Sequence, residues 1–272
     1  MKISGLAAIA ALMASVPACG GGGSPAPAPA PAPAPTPAAV GTAGVYDVNY
    51  AGQFRGVYTL LDDGSFHGVH FVDGEGLAGH PHGLLTAGNS VGTPQPISWA
   101  NFIDDAAQVG AQEPAGRFGR SFDASGLHVF TQGSMGSFTA TATQQKQYGD
   151  GSSKTLYGDP IPMSTLAGTY SGILRTVGIA TPEQQVDGFV IDAGGALGVT
   201  AAGCTFTGTL ARHGATGIFD APLQAGGAGC RLAAAMSGIV TPLSVVGGKP
   251  QLAVQLDSAD NAQTAVFIVA KD

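Results

Sequence analysis

Short runs in which apolar and polar residues alternate fill this chain from about residue 44 onward. Residues 45–50, 54–61 and 66–71 place apolar or aromatic side chains at alternate positions, the period of a half-buried β-strand. Residues 62–65 (DDGS) separate the last two runs, and an Asp-Gly pair tolerates the positive φ that a tight turn requires. The pattern therefore predicts an antiparallel β-hairpin at 54–71.

Further alternating runs predict strands along the rest of the first half, at residues 82–87, 117–122, 127–131 and 137–143. One stretch differs from these. Residues 97–109 predict a short helix, because Trp99, Phe102 and Ile103 recur at helical spacing.

The periodicity fades over residues 144–165, which carry three glycines and two prolines. We therefore place an inter-domain linker at 148–165, between β domains at 44–147 and 166–272. Strands of the second domain are predicted at 186–191, 197–201, 204–210, 217–220, 232–240, 252–256 and 264–269. The predicted fold class is all-β, with two small antiparallel β-barrel or sandwich domains.

An internal match links the two predicted domains. Residues 192–199 (DAGGALGV) match residues 62–69 (DDGSFHGV) at an offset of 130, with the aspartate, two glycines and the valine shared. Duplication of one ancestral domain is the simplest explanation, while a chance match in glycine-rich sequence is the alternative.

The first 18 residues have the three parts of a secretory signal peptide: Lys2, an apolar run at 6–13 and a small-residue site before Cys19. This site resembles the lipobox of bacterial lipoproteins, with Pro17 departing from the usual small residue. That resemblance implies that Cys19 receives a diacylglyceryl group and that the mature chain stays on the outer membrane, anchored by its acyl chains. Incidental placement of Cys19 in a plain secreted protein is the alternative.

Residues 19–43 predict a lipid-anchored tether. Four glycines and a serine follow Cys19, and residues 25–37 then alternate proline with alanine except at Thr36. Alternating proline favours polyproline II at about 3.1 Å per residue, so this segment reaches roughly 40 Å.

The composition limits which partners the chain can bind and predicts the oxidation state of its cysteines. The net charge is −7 and only 11% of residues are charged, which argues against a nucleic-acid partner. Two cysteines remain after Cys19, and export to an oxidising compartment predicts that Cys204 and Cys230 form a disulfide.

The second domain has a family resemblance. The tract from Leu166 through residues 203–210 (GCTFTGTL) to residues 265–269 (AVFIV) resembles the C-terminal domain of an uncharacterised family of glycine-rich proteobacterial lipoproteins. The hairpin at 62–68 resembles their N-terminal half. The resemblance implies two β-rich domains. It implies no particular activity, since the family is uncharacterised. A looser likeness to the barrels of lipoproteins that capture host transferrin is an analogy of fold alone.

Two short motifs fit catalytic or cofactor patterns without the surroundings that those patterns need. Residues 74–79 (GEGLAG) fit a dinucleotide fingerprint, yet HPHG follows where a helix is required, so a glycine loop is predicted. Residues 88–92 (GNSVG) fit a nucleophile elbow, yet TPQP follows in place of a helix. The sequence therefore predicts no enzyme and no cofactor.

Five of the six histidines lie in the first domain: His67, His70, His80, His82 and His128. His80 and His82 would point the same way in an extended segment, and paired imidazoles suit zinc or copper. Because Pro81 favours a loop and no cysteine accompanies them, solvent-facing histidines are the simpler interpretation. The sequence predicts no metal site, with His80 and His82 kept as the alternative.

These features predict a lipid-anchored protein of the cell outer membrane. A tether and two compact domains suit a surface-displayed binding module for a protein or glycan ligand. The alternative is a structural or assembly lipoprotein of the outer membrane or periplasm that binds no soluble ligand.

Overall fold

The computed structural model describes residues 43–50, 54–72, 76–84, 95–101, 112–123, 126–133, 136–144, 156–177, 183–246 and 249–272. The predicted signal peptide 1–18, the predicted lipidation site Cys19 and all but the last residue of the predicted tether 19–43 lie outside these ranges. The described residues belong to one compact unit, 37–272. Within them, no helix has the length and apolar character needed to cross a bilayer.

Eight antiparallel strands close the first barrel. They are β1 (Gly44–Tyr50), β2 (Phe54–Leu60), β3 (Ser65–Val72), β4 (Gly76–Leu84), β5 (Gln95–Asn101), β6 (Gln112–Asp123), β7 (Gly126–Gly133) and β8 (Gly136–Gln144). Each strand pairs with the next along the chain, and β1 pairs with β8 from Tyr46↔Gln144 to Asn49↔Thr141. The sheet therefore has no free edge.

The second half contains one short helix and ten strands. They are α1 (Met163–Leu166), β9 (Gly168–Val177), β10 (Gln184–Ile191), β11 (Ala196–Ala201), β12 (Cys204–Thr209), β13 (Ala211–Arg212), β14 (Phe219–Asp220), β15 (Leu223–Gly226), β16 (Ala235–Val246), β17 (Lys249–Ser258) and β18 (Thr264–Lys271).

Eight of these strands form a second closed ring. Strand β9 pairs with β10, β10 with β11, β11 with β12 and β12 with β15, and the order continues through β16, β17 and β18 back to β9. The short β13 and β14 form a hairpin beside β16. The all-β prediction is confirmed. The strand pairings form barrels rather than sandwiches.

Alternation along the strands fills the interior of the second barrel. In β12, Cys204 and Phe206 are buried while Thr205 and Thr207 are exposed. The ring of Phe206 meets Phe267 of β18 edge to face, with centroids 5.2 Å apart. Such aromatic pairs add about 0.5–1.5 kcal/mol beyond their buried area.

Strand β18 is buried on both faces. Ala265 and Phe267 belong to the interior core, whereas Val266 packs in a separate apolar cluster with Val69 and Leu77 of the first barrel. The outer wall of the second barrel therefore lies against the outer wall of the first. This contact brings Asp257 of β17 next to His80 and His82 of β4.

The predicted turn at 62–65 is confirmed. Gly64 adopts φ 93°, and the Leu61 amide bonds the Ser65 carbonyl. The turn between β10 and β11 repeats this arrangement, with Gly195 at φ 89° and the Asp192 amide bonded to the Ala196 carbonyl. The two turns are therefore structurally equivalent at an offset of 131 residues, whereas the sequence match has an offset of 130. Duplication itself stays a prediction.

The helix expected at 97–109 is wrong over its described part. Residues 97–101 lie in β5, which pairs with β4 on one side and β6 on the other. Hydrogen bonding to two neighbouring strands outweighs the helical spacing of the apolar side chains. The rest of the expected helix, 102–109, lies outside the described residues.

The loop predicted at 74–79 is also wrong where it is described. Strand β4 begins at Gly76, six residues before the strand predicted at 82–87, and continues through Pro81. The linker predicted at 148–165 is described from Leu156 onward, where Leu156 and Ile161 are buried in the core of the second barrel. The domain boundaries stay a prediction.

The disulfide between Cys204 and Cys230 is confirmed, with Cα atoms 4.4 Å apart. It ties the start of β12 to the loop between β15 and β16. Gly203, at φ 73°, lets the preceding turn approach Gly229 closely.

Candidate functional site

Three histidines share the face of the first barrel that packs against the second. His67 of β3 lies directly opposite His82 of β4 in the antiparallel register. His80 lies two residues before His82, so the period of a strand places both on one face. Asp257 reaches the same place from β17, and the ring of His80 contacts its carboxylate.

His80 has no exposed surface and its orientation is fixed by two contacts. Its Nδ1 lies 2.7 Å from the Gly68 carbonyl oxygen, which can only accept a hydrogen bond, so Nδ1 carries a proton. Its Nε2 then lies 3.2 Å from Oδ2 of Asp257. In a neutral ring that nitrogen bears a lone pair, so a proton or another cation is required between it and the carboxylate.

The other two rings contribute unsatisfied nitrogens. Nδ1 of His67 and Nε2 of His82 are buried and have no hydrogen-bond partner among the described residues. The His82 nitrogen is 3.6 Å from Oδ1 of Asp257. The His82 ring stacks on His80 with centroids 4.8 Å apart, and His67 lies on the other side of His80 at 6.1 Å.

Burial determines the charge state of this cluster. Desolvation, and then the neighbouring His80, lowers the pKa of His67 to about 3 and that of His82 to about 4. Burial raises the pKa of Asp257, but the charge of His80 and its hydrogen bond lower that pKa by more. Thr264 Oγ1 also donates to Asp257 at 2.6 Å. At neutral pH the site therefore holds a carboxylate beside neutral imidazoles of His67 and His82.

A cleft of about 530 Å³ opens beside the cluster, and both barrels line it. His67, His82 and Asp257 form part of its wall, whereas the fully buried His80 does not line it. The lining also includes Asp63 of the first barrel and Ser237 of the second. The cleft therefore lies directly against the residues that carry the buried nitrogens.

His213 bridges the two barrels at the rim of this cleft. Its Nδ1 is 2.8 Å from Oδ1 of Asp220, and its Nε2 is 3.1 Å from Oδ1 of Asp62. Burial lowers the pKa of His213, but the hydrogen bonds to Asp220 and Asp62 and the charges of Asp220 and Asp63 raise it by more. The protonated ring donates to both carboxylates and joins the barrels through one side chain.

This bridge predicts a pH-dependent stability. Because the folded pKa of His213 lies above the unfolded value, the stabilisation is complete below about pH 6.5 and is lost as pH rises through the folded pKa. The melting temperature of the wild type should therefore fall toward that of His213→Gln as pH increases from about 6 to about 9. A difference between the two proteins that grows with pH would contradict the bridge.

The predictions for the individual histidines of the first barrel have different outcomes. His80 and His82 lie together as an extended segment requires, yet they are buried, so the solvent-facing interpretation of these two is wrong. His70 is buried beside Tyr58, whose hydroxyl contacts Nε2 of His70. The side chain of His128 lies outside what the structure describes.

Sequence reasoning missed Asp257, which is 177 residues from His80. One signal was present: residues 252–256 (LAVQL) are mostly apolar, and a carboxylate directly after them is 7% exposed in the structure. A charge at the end of a largely apolar strand indicates a buried partner.

Comparisons with known proteins do not identify a function for the site. No family model matches the sequence, and no curated protein matches it. A crystal structure of a protein of unknown function, from the DUF3598 family of Nostoc punctiforme, is similar at 9% sequence identity and a TM-score of 0.27. That match covers 85% of this chain and 94% of the other. At such a TM-score the likeness carries no functional argument.

Proposed function

We propose that this protein is a lipid-anchored binding module of the outer membrane and that its ligand occupies the cleft between the two barrels. The cleft is the observation that carries the proposal. Its volume of about 530 Å³ lies within the range of about 300–1,000 Å³ that is typical of ligand sites. Ligand sites also occur preferentially where two compact parts of a chain meet.

The lining indicates the chemistry of the ligand. Carboxylates of Asp63, Asp220 and Asp257 and the hydroxyl of Ser237 supply hydrogen-bond acceptors, and Leu61 adds apolar surface. A ligand rich in hydroxyl or ammonium groups fits such a wall, since ionised carboxylates accept hydrogen bonds and donate none. A glycan or a polar segment of a protein has this character.

The N-terminal segment supports the membrane part of the proposal. A lipid on Cys19 followed by a spacer of roughly 40 Å would hold the barrels away from the membrane surface, where a ligand has access to the cleft. The proposal assigns the protein no catalytic reaction.

Filling the cleft is expected to abolish ligand capture. Ser237 is exposed on β16 and lines the cleft, so Ser237→Trp should block the site while leaving the barrel interior untouched. The full chain and its variants would serve as bait for envelope extract and for host serum, with retained molecules identified by mass spectrometry. The matched control is Thr207→Trp, because Thr207 is exposed on β12 and is absent from the cleft lining.

A molecule retained by the wild type and by Thr207→Trp, but lost from Ser237→Trp, supports the proposal. Equal retention by all three proteins would refute the cleft as the site. Protease treatment of intact cells, followed by blotting, separates display from a periplasmic role. Protection of the chain together with no retained molecule would favour a structural lipoprotein instead.

A further inference from the structure

The histidine cluster has the composition of a metal site in which no thiolate takes part. We propose that His67, His80, His82 and Asp257 bind one divalent transition-metal ion, with Zn²⁺ as the working probe. This inference does not depend on an organic ligand in the cleft, because the four side chains meet through barrel packing alone.

Unsatisfied lone pairs are the first argument. A single proton on Nε2 of His80 satisfies the contact of that ring with Asp257, but it leaves Nδ1 of His67 and Nε2 of His82 buried without partners among the described residues. A buried polar atom without a partner costs about 1–3 kcal/mol. One cation coordinated by the imidazoles and the carboxylate would satisfy all of these groups.

The spacing is the second argument. One ligand atom each of His67, His80 and Asp257 lie within 4.8 Å of one another. Tetrahedral zinc with bonds of about 2.0–2.1 Å holds its ligand atoms about 3.3 Å apart. Side-chain rotation on three fixed strands accommodates a closure of about 1.5 Å or less, and His82 lies beside the group as the fourth ligand.

Hydrogen bonds to neighbouring groups orient two of the proposed ligands, as is usual around bound metal ions. Nδ1 of His80 donates to the Gly68 carbonyl, which leaves Nε2 as the coordinating nitrogen. Thr264 donates to Oδ1 of Asp257, so Oδ2, which faces His80, is the oxygen available for the ion. An imidazole ring held by a backbone carbonyl is a recurrent arrangement around bound zinc.

The nitrogen-rich set of proposed ligands also favours some metal ions over others. Imidazole nitrogens favour zinc, copper and nickel, whereas calcium and magnesium require sites built mostly from oxygen. His67, His82 and Asp257 line the cleft, so an ion can enter the site from that space.

Calorimetry with Zn²⁺ on the purified full chain tests the proposal. A Cys19→Ser background removes the one cysteine outside the disulfide. We expect one zinc per chain with a dissociation constant near or below about 1 µM, and Co²⁺ should give the visible absorption of a tetrahedral site.

Asp257→Asn and His67→Gln should each weaken zinc binding by at least 10- to 100-fold, the loss typical of removing even a supporting group. Asp63→Asn is the control, since this carboxylate lies at the same cleft but outside the cluster. His67 is the safer variant if Asp257→Asn fails to fold, because its Nδ1 makes no hydrogen bond to a described residue.

Absence of zinc uptake at micromolar concentration would overturn the proposal, as would equal affinity in Asp63→Asn and His67→Gln. Nitrogen NMR provides an independent readout: both ring nitrogens of His80 protonated in the presence of zinc would mean that a proton, and no metal, neutralises Asp257. Ser237→Trp should still bind zinc, so failure of the ligand proposal and failure of the metal proposal are separable.

Discussion

Replacing Gly238 by alanine is expected to destabilise the protein by about 3 kcal/mol or more, the upper range for overpacking. A Cβ atom at Gly238 would lie 1.8 Å from the carbonyl oxygen of Gln255 and 2.8 Å from its carbon. Both are backbone atoms of β17, which pairs with β16 through this region. Since β17 is also pressed against the first barrel, neither strand has room to separate. Urea unfolding of wild type and variant measures the loss.

The matched control is Gly198→Ala. Gly198 also lies inside a strand of the second barrel, but an added Cβ would meet nothing within 4 Å. This change should leave stability unchanged or raise it by up to about 1 kcal/mol, because alanine reduces the entropy of the unfolded chain. Equal losses in the two variants would mean that glycine flexibility, and not close packing, determines the effect at residue 238.

Removing the disulfide is expected to cost about 3.5 kcal/mol. The bond between Cys204 and Cys230 spans 26 positions, and closing a loop of that length restricts the unfolded chain by this amount in the chain-entropy model. The double variant Cys204→Ala/Cys230→Ala should therefore unfold at a lower urea concentration than the oxidised wild type.

Reductant provides the internal control for that comparison. Dithiothreitol should lower the stability of the wild type toward that of the double variant and leave the double variant unchanged. If the oxidised wild type and the double variant unfold together, the bond contributes nothing beyond the packing around it.

The strands of this protein were predictable because the signal is local. Alternation over six to eight residues identifies a strand without any knowledge of its neighbours, and the Asp-Gly turn at 62–65 fixes one register. Residues 97–101 show the limit of this reasoning. The apolar spacing from Trp99 to Ile103 predicts a helix, whereas pairing of 97–101 with β4 and β6 makes this segment a strand.

The candidate site was half predictable for the same reason. Strand period two places His80 and His82 on one face, and that follows from their spacing alone. Pro81 was a misleading signal, because β4 continues through it opposite Trp99. Asp257 joins the histidines only through the contact between the two barrels. The apolar run before Asp257 indicates that this carboxylate is buried, but no short window of sequence indicates that it meets His80 and His82.

The contact between the barrels also has a consequence for biogenesis. The last strand of the first barrel ends at Gln144, whereas Asp257 and Val266, which cover His80 and Val69, are synthesised only after strands β9 to β16. At about 5–20 residues per second, the ribosome needs on the order of ten seconds to add them. For that interval a nascent first barrel would carry an uncovered apolar surface beside its histidines. A chaperone that recognises apolar surface would therefore meet this surface before β17 and β18 shield it.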